Sequence, residues 1–302
     1  MKMKRYQAAV IGYGNIGRFL VDAIEAAPDL QLAGVVRRPE SVQNLPPQLK
    51  GVPVVTALSE LGAVDVAFLA LPSRLVPKAA AEVLAMGINT VDSYDVHSDL
   101  VSYRQHLDPI AKTQRKTAVI AAGWDPGTDS LIRCLFLLMA PQGITYTNFG
   151  PGMSMGHTTA VKAIPGVADA LSLTVPVGTG LHRRMVYVQL KPEADPQAVE
   201  QTIKHDPYFI NDETVVTFVP QVQDLIDMGH GVLLERKGAS GRTHNQQFKF
   251  EMRINNPALT AQVMVAAARA GFKQQPGCYT MIEMPVIDYL WGEREKLIAS
   301  LV

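Results

Sequence analysis

A glycine-rich segment near the N-terminus constrains the fold more than any other feature of the sequence. In "AAVIGYGNIG", Gly12, Gly14 and Gly17 follow an apolar run and open a helical pattern. A strand, a tight turn and a helix in this order form a dinucleotide-binding fingerprint, because the free amides and the dipole of the helix can hold a pyrophosphate. A glycine turn without a ligand is the alternative. The expected cofactor contacts, which include a segment after a later strand, are Gly12, Tyr13, Gly14, Asn15, Ile16, Gly17, Leu71, Pro72 and Ser73.

The first 122 residues alternate short β-branched runs with longer helical patterns. Continuous apolar strands separated by amphipathic helices indicate a parallel sheet covered on both faces. We therefore predict an α/β, Rossmann-type doubly wound parallel sheet in a domain of residues 1–122. The predicted strands are 7–12, 30–37, 52–55, 64–71, 88–91 and 117–122, and the predicted helices are 15–27, 74–87 and 98–115.

The pattern changes beyond Gly123, where strands alternate apolar and polar residues and helices such as 195–205 are placed irregularly. This pattern is typical of an α+β domain with an antiparallel or mixed sheet. We assign residues 123–255 to a second α+β domain, one face of which can be covered by helices or by a second subunit. Asn256 and Pro257 begin a further helix that ends near Gly271. Residues 256–302 are expected to form a C-terminal helical segment that closes the site and packs back on the Rossmann domain.

The bulk composition argues for a small-molecule ligand. Lys and Arg number 28 in the 302 residues, and Asp and Glu also number 28, so neither nucleic acid nor an anionic membrane is an expected partner. The apolar stretch after the basic start is too short for a signal peptide, and no apolar run approaches a membrane span, so we expect a cytoplasmic protein. Cys134 and Cys278 have no CxxC spacing, and we expect neither a disulfide framework nor a metal site.

The end of the second predicted strand distinguishes between two nicotinamide cofactors. An NAD site carries an Asp or Glu about 20 residues after the glycine loop to bind the ribose 2′-hydroxyl. This chain has Arg37 and Arg38 there, with Glu40 as the nearest acid. Guanidinium groups can bind a 2′-phosphate in a bidentate way and can stack on adenine. The pattern predicts NADP, and an exposed, solvated arginine pair is the alternative.

Acidic residues follow two later strands of the predicted sheet, in "TVDSYDVH" and "AAGWDPGTD". Ligands of open α/β sheets bind beyond the carboxyl ends of the strands. Side chains alternate along an extended segment, so Asp92 and Asp95 cannot both point into that crevice. Acids at strand ends also cap turns, so one of the two is expected to be structural.

Several uncommon strings occur in the same order as in one known family. They include "TVDSYDVH", "GWDPG", "NFGPGMSMGH", "AIPGV", "HRRMVYV", "DMGHG", "INNPALT" and "QQPGCYTMIE". On these strings the chain resembles the meso-diaminopimelate D-dehydrogenases over nearly its whole length. The resemblance implies reversible, NADP-dependent oxidative deamination of the D-centre of meso-2,6-diaminopimelate to L-2-amino-6-oxopimelate and ammonia. It also implies a role in lysine biosynthesis, and it implies that the middle domain, residues 123–255, binds the substrate and forms a homodimer.

The resemblance also implies roles for individual residues. Asp95 and Asp125 would lie beside the reacting amine, with Trp124 in the pocket wall. Phe149 stands where some relatives have tryptophan, which leaves the breadth of D-amino-acid specificity open. The carboxylate of the reacting centre would be held by Gly152, Met153, Ser154 and Met155. The distal, L-configured end would be held by Thr174, Arg184, His230 and Asn256.

Each of these assignments has a structural alternative. His230 between two glycines is typical of a turn, Asn256 before a proline is a common helix cap, and Met153 and Met155 are common in cores. Thr174 suits a strand by propensity alone. Two alternative functions remain at this point: a broad-specificity NADP-dependent D-amino-acid dehydrogenase, and a non-catalytic NADP-sensing protein. The group that accepts the substrate's proton is also left open.

Overall fold

The computed structural model describes residues 5–43, 45–226 and 229–302. The basic start "MKMK", Asn44, and Asp227 and Met228 of the string "DMGHG" lie outside the described residues. The chain divides into two compact units: unit 1 is Met1–Leu131 with Pro257–Val302, and unit 2 is Ile132–Asn256. The assignment of roles to residues 1–122, 123–255 and 256–302 stays a prediction.

The described residues contain helices and strands that follow the predicted order closely. The helices are α1 Asn15–Ala26, α2 Val76–Ala85, α3 Leu100–Thr113, α4 Thr128–Met139, α5 Met155–Lys162, α6 Pro196–His205, α7 Asn256–Gly271 and α8 Arg294–Leu301. The strands are β1 Tyr6–Ile11, β2 Leu30–Val36, β3 Val54–Val55, β4 Val66–Leu69, β5 Asn89–Asp92, β6 Thr117–Val119, β7 Gln142–Phe149, β8 Gly152–Met153, β9 Val167–Gly178, β10 Leu181–Leu190, β11 Glu213–Phe218, β12 Gly229–Ser240, β13 Thr243–Asn255 and β14 Gly277–Tyr279.

Unit 1 is built on a parallel sheet. Within the described residues it has seven strands in the order β14-β6-β5-β4-β1-β2-β3, and every paired neighbour is parallel. Six of these strands follow the doubly wound order, in which the direction of winding reverses between β1 and β4. The predicted Rossmann class is confirmed. The reversal places the loops after β1 and β4 side by side, which is where such folds bind ligands.

Helices cover both faces of this sheet. On one face, Leu20 and Ile24 of α1 and Met264 of α7 lie in one buried cluster with the apolar strands. On the other face, Leu84 of α2 and Leu107 of α3 are fully buried against the strands. Burying a leucine side chain stabilises a fold by about 1.5–3 kcal/mol, so these contacts explain why the amphipathic patterns predicted the helices correctly. The C-terminal segment adds α7 and the edge strand β14 to this unit.

Unit 2 is α+β, as the alternating pattern predicted, but its described residues form two sheets instead of one. One sheet has the order β11-β10-β9-β8 and the other has the order β13-β12-β7. The first is mixed, because β10 and β11 pair in parallel, and the second is antiparallel. The pattern missed β12, whose start "GHG" has the composition of a turn.

Asp92 is a structural residue at the end of β5. Its side chain is 0% exposed and accepts hydrogen bonds from the amides of Tyr94 (3.0 Å) and Ala121 (3.1 Å) and from the hydroxyl of Tyr103 (2.7 Å). These bonds tie the ends of β5 and β6 to α3. Burial outweighs the hydrogen bonds and raises the pKa of the Asp92 carboxyl from 3.8 to about 6.

The raised pKa of Asp92 predicts a pH-dependent stability. The folded state binds the proton more tightly, so this contribution is complete below pH 3.8 and is lost as the pH rises through about 6. Between pH 4 and 7 the free energy of unfolding should fall by about 2 kcal/mol more in the native chain than in Asp92→Asn. Urea titrations followed by tryptophan fluorescence measure this, since Trp124 and Trp291 both lie in unit 1. Parallel pH profiles of the two proteins would contradict it.

Candidate active site

The glycine loop after β1 has the geometry of a phosphate-binding turn. Gly12 has φ +96°, and a Cβ there would lie 2.4 Å from the carbonyl oxygen of Ala70. A Cβ at Gly17 would lie 2.3 Å from the carbonyl oxygen of Gly12, whereas a Cβ at Gly14 would meet no atom within 4 Å. The first and third glycines are therefore required by packing, and the second leaves the loop open. Gly14 caps α1 without a side chain, so the first-turn amides are available to an anion.

Arg37 and Arg38 have different environments. The guanidinium carbon of Arg37 lies 5.4 Å from the ring centroid of Tyr13. Within the described part of the chain, Nη1 of Arg37 and the hydroxyl of Tyr13 are buried and have no hydrogen-bond partner. Burial also raises the pKa of Tyr13, so its hydroxyl remains a donor. Arg38 is exposed and pairs with Glu40 at 3.3 Å. Unsatisfied buried donors beside the glycine loop fit a bound phosphate, and Arg37 is the arginine placed for it.

The loop after β4 connects the cofactor side of unit 1 to a predicted substrate residue. Leu71 approaches Gly12, with its Cδ2 3.2 Å from the position of a Cβ there. Pro72 is exposed and precedes a short 3₁₀ turn, Ser73–Leu75. The hydroxyl of Ser73 donates to Oδ1 of Asp95 at 2.6 Å. Ser73 thus fixes the Asp95 carboxylate, an interaction not anticipated from the sequence.

Asp125 lies in a tight turn after β6. A Cβ at Gly127 would lie 1.9 Å from the carbonyl oxygen of Gly123, so the turn formed by "GWDPG" requires glycine at its last position. Trp124 is 5% exposed, and the Asp125–Pro126 bond is cis. Because β5 and β6 are paired neighbours, the loops that carry Asp95 and Asp125 leave the same edge of the sheet. His97 connects these loops, with Nε2 3.9 Å from Oδ2 of Asp125.

In unit 2, the mixed sheet aligns three of the predicted substrate residues. Thr174 of β9 is paired with Gly152 of β8 on one side and with Arg184 of β10 on the other. Nη1 of Arg184 donates to Oγ1 of the fully buried Thr174, and Nε donates to Oδ2 of Asp212 at 2.6 Å. The neighbouring Arg183 points outward and pairs with Glu213 at 2.9 Å. Side chains alternate faces along a strand, and Arg184, with a side chain 12% exposed against 42% for Arg183, is the arginine that faces inward.

The segment before α5 offers helix amides more readily than side chains to an anion. The Ser154 amide donates to the carbonyl oxygen of Ser172 at 2.9 Å, and the Ser154 hydroxyl lies 2.8 Å from Nδ1 of His157. Burial lowers the pKa of His157 to about 3, so this imidazole is neutral. Met153 packs in a buried cluster with Leu171, which agrees with the core alternative for its side chain. Met155, partly buried beside it, begins α5, whose first-turn amides have no partner within the helix.

Phe149, His230 and Asn256 all belong to unit 2, and each lies at or next to the end of a strand. The Phe149 amide donates to Nε2 of His182 at 2.8 Å. His230 is 7% exposed, lies inside β12 and pairs with Ile254 of β13, so the alternative of a turn histidine is wrong. A Cβ at Gly152 would lie 2.2 Å from the carbonyl oxygen of Gly229, so glycine lets β8 lie against the start of β12. Asn256, 6% exposed, is the first residue of α7.

Comparisons with known proteins agree over the whole chain. The family model for the diaminopimelic acid dehydrogenase C-terminal domain matches residues 123–256. The meso-diaminopimelate D-dehydrogenase of Bacteroides fragilis is 59% identical over 300 residues, which covers 99% of this chain and 100% of the relative. The chain belongs to the meso-diaminopimelate D-dehydrogenase family. The resemblance in the uncommon strings is thereby confirmed.

Two solved structures extend the similarity to the fold of the diaminopimelate dehydrogenases. The Corynebacterium glutamicum DAP dehydrogenase in complex with DAP has a TM-score of 0.88 at 28% identity, covering 99% of this chain and 100% of that chain. An engineered D-amino acid dehydrogenase bound to NADP⁺ has a TM-score of 0.89 at 27% identity, with the same coverage. In the described residues of this family member, no helix is both long and apolar enough to cross a bilayer.

Three polar residues that contact predicted site residues of this meso-diaminopimelate dehydrogenase family member were not identified from the sequence. His97 faces Asp125, Asp212 holds Arg184, and His157 contacts Ser154. His97 and His157 stand inside the quoted strings "TVDSYDVH" and "NFGPGMSMGH", which was the one signal that could have found them. Asp212 lies 28 residues from Arg184 in a turn before β11, and no local pattern marks it.

Proposed function

We propose that this chain catalyses the reversible, NADP-dependent oxidative deamination of the D-centre of meso-2,6-diaminopimelate to L-2-amino-6-oxopimelate and ammonia. The observation that carries the choice of substrate is Arg184, whose side chain is 12% exposed and is held by Asp212 and Thr174. A D-amino acid with a single carboxylate, such as D-alanine, has no second carboxylate for Arg184 to bind. The whole-chain identity to the Bacteroides fragilis enzyme and the fold shared with a DAP-bound dehydrogenase support the same choice.

NADP is the cofactor, and it supplies the acceptor for the hydride that leaves the substrate. The first-turn amides of α1 would hold its pyrophosphate, and Arg37 with the Tyr13 hydroxyl would hold the 2′-phosphate. Within the described residues, Nη1 of Arg37 and the hydroxyl of Tyr13 are buried without a hydrogen-bond partner, which fits a bound 2′-phosphate. A solved relative of the same fold is bound to NADP⁺.

The difference between Arg37 and Arg38 predicts unequal effects on cofactor choice. Arg37→Ala should lower the ratio of affinities for NADP and NAD by about 10-fold or more, because it removes a partly buried, charge-assisted contact to the 2′-phosphate. Arg38→Ala should change it by about threefold or less, since Arg38 is exposed and paired with Glu40. Fluorescence titrations of both variants with NADPH and NADH give the ratio. An unchanged ratio in Arg37→Ala would remove Arg37 from the 2′-phosphate site.

At the reacting centre, Asp95 and Asp125 stabilise the positive charge that develops on nitrogen as hydride leaves Cα. The same carboxylates favour the ammonium form of the substrate, which cannot release hydride, so a proton must leave first. By the family resemblance, the carboxylate of the D-centre is held by the first-turn amides of α5, at Met155, which have no partner within the helix. Trp124 supplies an apolar wall.

At the distal centre, Arg184 offers its remaining donors to the second carboxylate. Its orientation is set in advance, since Nε is bound to Asp212 and Nη1 to Thr174. His230 and Asn256 can accept from the second ammonium without adding charge. Groups arranged for a second amine and acid would stay unsatisfied with a shorter substrate, so discrimination can reach roughly 10⁴-fold.

The physiological setting is a further part of the proposal. We propose a cytoplasmic enzyme of lysine biosynthesis that acts as a homodimer built through unit 2, without nucleic acid as a partner. Exposed apolar side chains in unit 2 support the dimer, among them Leu137, Leu138 and Ile144 at 48%, 78% and 59% exposure. Leu137 and Leu138 lie on α4 and Ile144 on β7, and exposed apolar side chains of this kind are found at subunit interfaces.

The absorbance of NADPH tests the proposed reaction when meso-, LL- and DD-diaminopimelate are offered separately. We expect NADPH with the meso isomer and none with the LL isomer, which has no D-centre. NADPH from LL- but not meso-diaminopimelate would exclude the assignment. A ratio of kcat/KM for meso-diaminopimelate over D-alanine near one would favour the broad-specificity alternative. Cofactor binding without NADPH from any amino acid would favour the sensing protein.

A further inference from the structure

We propose that His97 relays the substrate's proton from Asp125 to solvent. The proposal rests on the proposed deamination and concerns the step that this reaction leaves open, the removal of a proton from the ammonium before hydride transfer. His97 acts through Asp125 and has no assigned contact with substrate. Both residues lie in unit 1, on loops that follow the neighbouring strands β5 and β6.

Distance and exposure give this pair the properties of a proton outlet. Nε2 of His97 lies 3.9 Å from Oδ2 of Asp125. That gap is longer than a direct hydrogen bond, and a small side-chain rotation or one bridging water spans it. The Asp125 side chain is 13% exposed, whereas the His97 side chain is 58% exposed. A proton on Asp125 therefore has a short path to an imidazole in contact with bulk water. Imidazole gains and loses a proton near neutral pH, which suits a relay.

The geometry separates the roles of the two predicted active-site acids. Oδ1 of Asp95 accepts a hydrogen bond from the Ser73 hydroxyl at 2.6 Å, which fixes the position of this carboxylate. Asp125 instead has a titratable partner in His97. The other acid on the His97 turn, Asp99, is exposed and accepts from Ser98. We therefore assign proton acceptance to Asp125, which has the imidazole beside it, and positioning of the substrate amine to Asp95, which Ser73 holds in place.

The proposed step balances atoms and charge. The substrate ammonium gives one proton to the Asp125 carboxylate, and the N–H electron pair becomes the amine lone pair. Asp125 passes that proton to Nε2 of His97, and the imidazolium releases a proton from Nδ1 to water. The Cα–H pair leaves as hydride to the nicotinamide, so the substrate is oxidised and the cofactor reduced. Water then adds to the C=N carbon and ammonia leaves. The sum is ammonium substrate, NADP⁺ and water to ketone, NADPH, ammonium and one proton.

The test compares His97→Ala with His106→Ala in the full-length enzyme. His106 is an exposed histidine of α3 in the same unit, so its removal matches the loss of one surface imidazole. With meso-diaminopimelate, His97→Ala should lower kcat by about 10- to 100-fold at neutral pH, since it removes proton transfer through the relay. Added imidazole should restore kcat by about 10-fold in His97→Ala and leave His106→Ala unchanged. Loss of packing alone would not respond to imidazole.

A second measurement does not depend on turnover. In the free enzyme, the His97 imidazole signals in ¹H–¹⁵N spectra should move when Asp125 is replaced by Asn, while the His106 signals stay in place. A His97→Ala kcat within twofold of native, or a loss of kcat that imidazole does not restore, would overturn the relay. Unmoved His97 signals in Asp125→Asn would overturn the pairing itself. If the native enzyme makes no NADPH from meso-diaminopimelate, the proposed function fails, and the spectra still decide whether the two side chains are coupled.

Discussion

Replacing Arg184 by methionine together with Asp212 by asparagine is expected to lower kcat/KM for meso-diaminopimelate by about 10³-fold. The same change should leave kcat/KM for D-alanine within about threefold, because D-alanine has no second carboxylate. The double variant is the cleaner choice. Arg184→Met alone would leave the Asp212 carboxylate, whose side chain is 22% exposed, without its partner.

The control for this prediction is Arg183→Met. Arg183 is the next residue of the same strand and loses the same charge, but it points outward toward Glu213. We expect its kcat/KM to stay within about twofold of native for both substrates. Steady-state kinetics of the three proteins with both amino acids give the comparison. An equal loss for meso-diaminopimelate and D-alanine would mean that Arg184 supports the fold of unit 2 and does not select the substrate.

Features that depend on local backbone geometry could be predicted from the sequence. The glycine spacing predicted the strand, turn and helix at residues 6–26, because Gly12 and Gly17 are sites where the backbone leaves no space for a Cβ. The apolar runs predicted the parallel sheet because strands that helices cover on both faces are apolar throughout. The apolar runs and the fixed spacing of the glycines can both be recognised in short stretches of the sequence.

Features that depend on long-range pairing could not be predicted in the same way. Strand β12 was not predicted because the contact that requires glycine at Gly231 is distant in sequence: a Cβ there would lie 2.4 Å from the carbonyl oxygen of Met252. Arg37 and Arg38 look equivalent in sequence, and their contacts distinguish them, since Arg37 lies over the Tyr13 ring whereas Arg38 is exposed and pairs with Glu40. Asp212 could not be identified from the sequence, because it binds Arg184 of β10, which lies 28 residues earlier in the chain. The family resemblance placed the candidate site, and the structure added the residues that orient it.

Asp125→Asn is expected to lower kcat for meso-diaminopimelate by about 10²- to 10³-fold. The substitution keeps the shape of the side chain and removes its charge. It thereby removes both the electrostatic support for the developing cation and the group that takes the ammonium proton. KM should change less than kcat, since the contacts to both carboxylates and to the distal amine remain. Single-turnover formation of NADPH at 340 nm separates the chemical step from product release.

Asp99→Asn is the matched control, because Asp99 is an exposed acid on the loop that carries Asp95 and loses the same charge. Its kcat should stay within about twofold of native. A near-native kcat for Asp125→Asn would remove Asp125 from the mechanism and leave Asp95 as the acid at the amine. Combining Asp125→Asn with His97→Ala then decides how the two residues act. If the proton passes from one to the other, the double variant should lose little more than Asp125→Asn alone, and imidazole should no longer restore its kcat.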